Sequence, residues 1–243
     1  MFKFYGATHH GKHKIKNDDC FLINSFVSQD KNKKQQQTKR DFLVAIADGV
    51  GSSEFGNIAS KELLDNLSKY SNIISHQIIL NIIKNTNKDL LKKYDKKAST
   101  VFSIVYAHDD KIIIYHIGDV RVYKLTASGT FVQLTNDHTY IQKLIDDGII
   151  SENMRYEHPE KNIITQALGN KEEIYIDIYK NSFDIGEKIL LTSDGIHDYV
   201  KDNEIKQILL SSKNMQANIQ KLIESAQLNK SVDDLSVIII EHN

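Results

Sequence analysis

Apolar positions in this chain follow two periods, and the switches between them mark out its elements. Runs rich in β-branched and aromatic residues predict strands over 2–8, 19–27, 42–47, 99–107, 111–117, 120–126, 130–134, 174–179, 188–191 and 235–240. Ala59, Leu63, Leu67 and Tyr70 recur at helical spacing, as do Ile79, Ile82, Ile83, Leu90 and Leu91. Two helices, each with one apolar face, therefore separate the third strand from the fourth. Shorter helices are expected at 140–145, 204–210 and 217–228. The strands between 99 and 134, joined by turns at His108-Asp109-Asp110 and Ala127-Ser128-Gly129, read as an antiparallel meander, and 19–27 is expected to pair with 42–47. Two polar stretches interrupt the pattern. Residues 29–40, which include Gln35-Gln36-Gln37, read as a mobile hairpin loop. Residues 146–162 form a flap-like break between strands. Paired helices between blocks of antiparallel strands predict an α+β fold in which two sheets pack together with helices outside.

Composition adds limits. At 243 residues, 40% of them hydrophobic, the chain suits one domain spanning 1–243. A net charge of −1 gives no reason to expect nucleic acid or an anionic membrane as partner. The start, Met1-Phe2-Lys3-Phe4-Tyr5-Gly6, has no long apolar region, and no stretch approaches the length of a membrane helix, so a soluble cytoplasmic protein is expected. The single cysteine, Cys20, lies in the strand-like Cys20-Phe21-Leu22-Ile23 and reads as a packed thiol.

The chemistry is carried by aspartates. Val44-Ala45-Ile46-Ala47 runs into Asp48-Gly49, the run at 112–114 leads through Gly118 to Asp119, and Ile189-Leu190-Leu191-Thr192 leads through Ser193 to Asp194-Gly195. Asp18 and Asp233 occur in related settings. A carboxylate at the end of a buried strand, beside a glycine that permits close backbone approach, is well placed to hold a hard cation. Two carboxylates about 5 Å apart repel by roughly 3 kcal/mol at an effective dielectric near 20, so convergence of several implies divalent metal. Oxygen-only ligands favour Mg²⁺ or Mn²⁺ over zinc, and two ions about 3.5 to 4 Å apart would create a bridging hydroxide suited to attack on phosphorus.

In order along the chain, eight fragments resemble motifs of one known family. They are Lys14-Ile15-Lys16-Asn17-Asp18-Asp19, Ala47-Asp48-Gly49-Val50-Gly51, Ala98-Ser99-Thr100, Gly118-Asp119-Val120-Arg121, Asp137-His138-Thr139, His158-Pro159 through Ala167-Leu168-Gly169, Thr192-Ser193-Asp194-Gly195, and Asp233-Asp234-Leu235-Ser236-Val237. Together they resemble the metal-dependent serine/threonine phosphatases of type 2C, in their compact bacterial form. The resemblance implies an αββα sandwich of two antiparallel sheets flanked by helices. It implies two Mn²⁺ or Mg²⁺ ions and a possible third: Asp48 bridging two, the Gly49 carbonyl on one, Asp194 and Asp233 on the first, Asp18 on the second, and Asp119 with Asp194 at a third. Asp19 would accept from metal-bound water. The implied reaction is hydrolysis of phosphoserine or phosphothreonine in proteins by a metal-bridging hydroxide, opposing a partner kinase in the cytoplasm.

Four positions depart from the family pattern. Lys14 stands where an arginine usually grips the phosphate, and an ammonium lacks the planar fork. Asp18 replaces a glutamate and is one methylene shorter. Val50 sits where many eukaryotic relatives carry a histidine, and Asp234 adds a charge where asparagine is common. Lys14 and Asp18 motivate one alternative, a weakly active or inactive member that binds phosphoproteins as a regulator. Another two-metal hydrolase such as a nuclease is opposed by the near-neutral charge. Among ten histidines, His9, His10 and His13 read as surface residues. His138 and His158 read as capping or packing groups, and His197 could act near the leaving group. Specificity is expected to reside in 146–162.

Overall fold

The computed structural model describes residues 1–37, 41–73, 75–108 and 111–243. One sheet joins β1 (Phe2–His9), β4 (Lys33–Gln37), β8 (Arg121–Leu125), β9 (Phe131–Gln133), β11 (Lys188–Thr192) and β12 (Leu235–His242) in the order β4-β1-β12-β11-β8-β9. The other joins β2 (Cys20–Ile23), β3 (Phe26–Ser28), β5 (Phe42–Gly49), β6 (Thr100–His108), β7 (Lys111–Ile117) and β10 (Asp177–Ser182) in the order β10-β7-β6-β5-β2-β3. Every pairing is antiparallel.

Three apolar layers hold the stack together. Between the sheets, Phe42, Val44 and Ile46 of β5 meet Ile238 and Ile240 of β12. The alternate residues of β5, Leu43, Ala45 and Ala47, pack under Leu63 of α1 (Gly56–Ser68) and Ile79 and Ile83 of α2 (His76–Tyr94). On the far side, Val237 and Ile239 pack against Ile196 of α4 (Asp194–His197), Ile205 of α5 (Asp202–Ser211) and Leu222 of α6 (Met215–Leu228). Strands covered on both faces must be apolar at every position, and this is why the central ones read as unbroken hydrophobic runs. The architecture is the expected αββα sandwich. Between β9 and β10 run α3 (Tyr140–Asp146), capped by the Thr139 hydroxyl accepting from Gln142 N at 3.1 Å, and a 3-10 turn over Glu152–Glu157.

Several local expectations are corrected. The strand expected over 19–27 breaks into β2 and β3 at Asn24, whose φ of 54° is a left-handed turn geometry that asparagine tolerates. Within the polar stretch 29–40, residues 33–37 pair with β1 from Phe2↔Gln37 to Gly6↔Lys33, so this part is an edge strand instead of a loop. Lysines and glutamines suit an edge, where they discourage pairing with another chain. Residues 38–40, and Asp109-Asp110 of the expected turn, lie outside the described residues.

The expected meander also divides, with β6 and β7 in one sheet and β8 and β9 in the other. The chain crosses between sheets at Gly118, with φ +97°, where a Cβ would lie 2.2 Å from Val101. Strand β10 begins at Asp177, three residues later than the pattern places it.

Candidate metal centre

The ends of β5, β11 and β12 and the crossing after β7 deliver the aspartates to one edge of the sandwich. Asp48 is the penultimate residue of β5, and its backbone carbonyl accepts from Thr100 Oγ1 at 2.7 Å. Gly49 N donates to the Asp18 carbonyl at 3.0 Å, tying the N-terminal loop to the same strand end. A Cβ on Gly49 would lie 2.4 Å from the Gly56 backbone, so only glycine lets α1 start this close to the site. Asp194 opens α4, and a Cβ on Gly195 would meet the Asp234 carbonyl at 2.0 Å. Asp119 follows the crossing glycine directly.

Asp48, Gly49, Asp119, Asp194, Asp233 and Lys14 line one cavity of about 220 Å³. Burial raises the Asp48 carboxyl well above the usual range, and the charges of Asp19, Asp194, Asp119 and Asp233 push the same way. Burial and the charges of Asp233 and Asp119 raise Asp194 likewise. Asp119 is pushed up to about 8 by burial and by Asp137 and Asp198, against the pull of Arg121. These carboxylates ring the cavity, and among the described residues no three Asp, Glu, His or Cys side chains close on a single point.

Asp18, Asp19 and Asp234 do not line the cavity; Asp18 and Asp234 connect to it through Lys14. Asp19 is fully buried; one oxygen accepts from Ser193 Oγ at 2.7 Å and Oδ1 has no hydrogen-bond partner. Burial and the charge of Asp234 push its carboxyl up to about 7. Asp234 is a knot for the N-terminal loop, accepting from Gly11 N at 2.7 Å, Asp18 N at 2.8 Å and Lys14 Nζ at 2.9 Å. The Lys14 ammonium also donates to Asp233 at 2.6 Å and lies 3.5 Å from Asp18. Burial opposes its charge, but the bonds to Asp233 and Asp234 win and raise its pKa. Asp18 is raised by burial despite Lys14. Mutually raised acids, an orphaned carboxylate oxygen and an all-oxygen donor set fit hard divalent cations.

A second buried group adjoins the first and was not legible as such in the sequence. Asp137 accepts from Arg121 Nη2 at 2.6 Å and from Arg155 Nη1 at 3.0 Å, and Arg155 also donates to Gln142 and Glu152. Burial alone would raise the Asp137 carboxyl, but Arg121 holds it down at about 2. Arg155 lies within 146–162, and Lys161 of the same segment pairs with Asp198 at 3.1 Å. The segment is therefore pinned at two points, and its last residue Asn162, with Ile164 just beyond it, borders the cavity.

The histidines stay out of the cavity. His138 Nδ1 accepts from Gly118 N at 3.1 Å, as a packing role predicts. His197 is buried against Thr192 Oγ1 at 2.9 Å, and burial with Arg121 drives its pKa far down. It does not border the cavity, so a role near the leaving group has no geometric support.

A family model described as Protein phosphatase 2C matches residues 22–235. The chain belongs to this family. The motif resemblance is thereby borne out, and with it a metal-dependent phosphatase class. Among similar proteins, a putative protein phosphatase 2C-type from Streptococcus pyogenes is 29% identical over 227 residues, 89% of this chain and 92% of its own. The crystal structure of the serine/threonine phosphatase Stp1 from Staphylococcus aureus superposes with a TM-score of 0.87 at 27% identity, covering 100% of this chain and 96% of its own. The catalytic domain of the serine threonine protein phosphatase PstP, solved with two manganese ions, matches with a TM-score of 0.80, covering 99% of each chain. At 22% identity that last likeness is one of fold.

Proposed function

We propose that this 2C-family chain hydrolyses phosphoserine and phosphothreonine esters in proteins, using Mn²⁺ or Mg²⁺ held by its aspartates. The observation that carries the reading is one cavity lined by Asp48, Asp119, Asp194 and Asp233 with a single lysine at its rim. Asp48, Asp194, Asp233 and the Gly49 carbonyl are the residues that would hold two ions, with Asp18 contributing from the N-terminal loop and Asp119 available for a third. Bound divalent cations would lower the pKa of water toward about 7 and offset charge on the phosphoryl group.

The chain's own groups then have distinct tasks. Asp19 would accept a hydrogen bond from metal-bound water, a reading supported by its one oxygen without a hydrogen-bond partner beside the one bonded to Ser193. Asp234 holds the loop that carries Lys14 and Asp18. Lys14 offers the substrate phosphate a point charge on a flexible stem, and to do so its ammonium leaves Asp233. The alternative of a weakly active or inactive regulator that binds phosphoproteins is disfavoured by the retained aspartates and by relatives that are named as phosphatases. We read 1–243 as one catalytic unit, with 146–162 as its flap, acting in the cytoplasm where a serine/threonine kinase supplies its substrates. Among the described residues no helix is long and apolar enough to cross a membrane.

Release of phosphate from a phosphothreonine peptide, followed as Mn²⁺ is added to chelator-treated protein, tests the reading. Turnover should rise from background with metal. Equal release with and without metal would count against it.

A further inference from the structure

Beside the metal cavity lies a second groove of about 410 Å³ that no step of the reaction uses. The two share a wall: Val50, Ser52, Asn162 and Ile164 border both. A phosphorylated side chain that reached the aspartates over this wall would leave its backbone on it. Successive Cα atoms are about 3.8 Å apart, so a residue one or two positions away can drop its side chain into the neighbouring groove.

Charge in the groove is one-sided. Lys96 is the one charged side chain in its described lining. The adjacent Lys97 is answered by Glu54 at 3.4 Å, whereas Lys96 makes no ion pair among the described residues. Lys96 is also held in place. It follows the left-handed C-cap Asp95 of α2 and is itself left-handed, with φ +66°. Backbone bonds from Lys97 N to Tyr94 O (2.9 Å) and from Phe55 N to Lys97 O (2.9 Å) fix the turn. Ser53 Oγ then bridges the turn to the groove wall, donating to Lys97 O and accepting from Ser99 N at 3.0 Å. A solvated lysine on a mobile loop would select nothing, but this one sits on a pinned turn and borders a concave surface that shares a wall with the metal cavity.

We propose that this groove is a substrate subsite for the side chain one or two residues from the phosphorylated residue, and that Lys96 makes it favour acidic over basic side chains. The proposal rests on the phosphatase reading and deepens it. An exposed charge pair is a modest interaction, so the preference is about threefold to tenfold in kcat/KM and fades with added salt as screening shortens its reach.

The test is kinetic, on the full chain with Mn²⁺. Phosphothreonine peptides carrying Asp, Ala or Lys at each flanking position are compared, with p-nitrophenyl phosphate as a control substrate for the wild type. At one or more positions Asp should exceed Lys by about threefold to tenfold. Lys96→Ala should bring that ratio near one, and Lys96→Glu should invert it. The ratio is read within each variant, so a general change in activity does not affect it. Turnover of p-nitrophenyl phosphate with no flanking preference, or a preference unmoved in Lys96→Glu, overturns the subsite alone. No turnover of any substrate overturns the phosphatase reading and the subsite with it.

Discussion

Asp48 and Asp137 are both buried carboxylates, yet their surroundings push them in opposite directions. Asp137 sits between Arg121 and Arg155 and is held at about 2. Asp48 shares a cavity with Asp194, Asp119 and Asp233, and burial together with their charges and that of Asp19 pushes it well above the ordinary range. The first group is complete within the fold. The second has a surplus of negative charge that Lys14, reaching Asp233 and Asp234, answers only at its rim. Buried charge with internal counterions is structure, and buried charge without them is a place for an external cation.

The largest effect is expected where the buried charges balance. Asp137→Ala strands two buried guanidiniums and should cost about 3 to 5 kcal/mol in urea unfolding. On the acidic side, Asp48→Asn should lower kcat/KM at least about a hundredfold, while the chelated protein unfolds at the same or a higher urea concentration because one repulsive charge is gone. A loss of stability in chelated Asp48→Asn like that of Asp137→Ala would erase the distinction.

A smaller effect is expected at Lys14. Lys14→Ala should raise KM and lower kcat/KM by about threefold to tenfold, and Lys14→Arg should retain activity. Because the ammonium occupies Asp233, the alanine variant should also bind Mn²⁺ more tightly in calorimetry. Unchanged kcat/KM and unchanged Mn²⁺ affinity would together remove Lys14 from the site.

The smallest effect is a pH slope. Asp19 at about 7 and Asp119 at about 8 lie above their unfolded values. The folded state therefore holds protons that the unfolded state has lost, so stability in chelator should fall as pH rises from about 6.5 to about 8.5. Asp137 acts in reverse, losing its contribution only as pH drops from about 4 toward 2. His116, held near 4 by burial and by His138, loses its contribution between about 6.5 and 4, outside the alkaline window. A flat urea midpoint across that window would show that the acids do not titrate as a cluster.

The sequence was most informative where local pattern and chemistry coincide. Asp48-Gly49, Gly118-Asp119 and Asp194-Gly195 each pair a strand end or sheet crossing with a glycine that allows close approach, and all three aspartates reach the cavity. The stacked layers followed from period alone, since β5 feeds one core with Phe42, Val44 and Ile46 and another with Leu43, Ala45 and Ala47. What stayed hidden depends on partners distant in sequence. Nothing around Arg155 announces that it reaches Asp137 18 residues earlier. The polar β4 looked like a loop because an edge strand needs no apolar face when its partner β1 supplies the pairing. His197, close to Asp194 in the chain, turns away from the cavity to Thr192.

If divalent cations complete the acidic cavity through Asp48, bound metal must stabilise the folded chain by way of that residue. The most direct measurement is the unfolding free energy of wild type and Asp48→Asn at about pH 7, each with chelator and with saturating Mn²⁺. At about a hundredfold excess over its dissociation constant, the metal should stabilise the wild type by about 2.7 kcal/mol and Asp48→Asn far less. Equal stabilisation of both proteins, or none of the wild type, would contradict the claim.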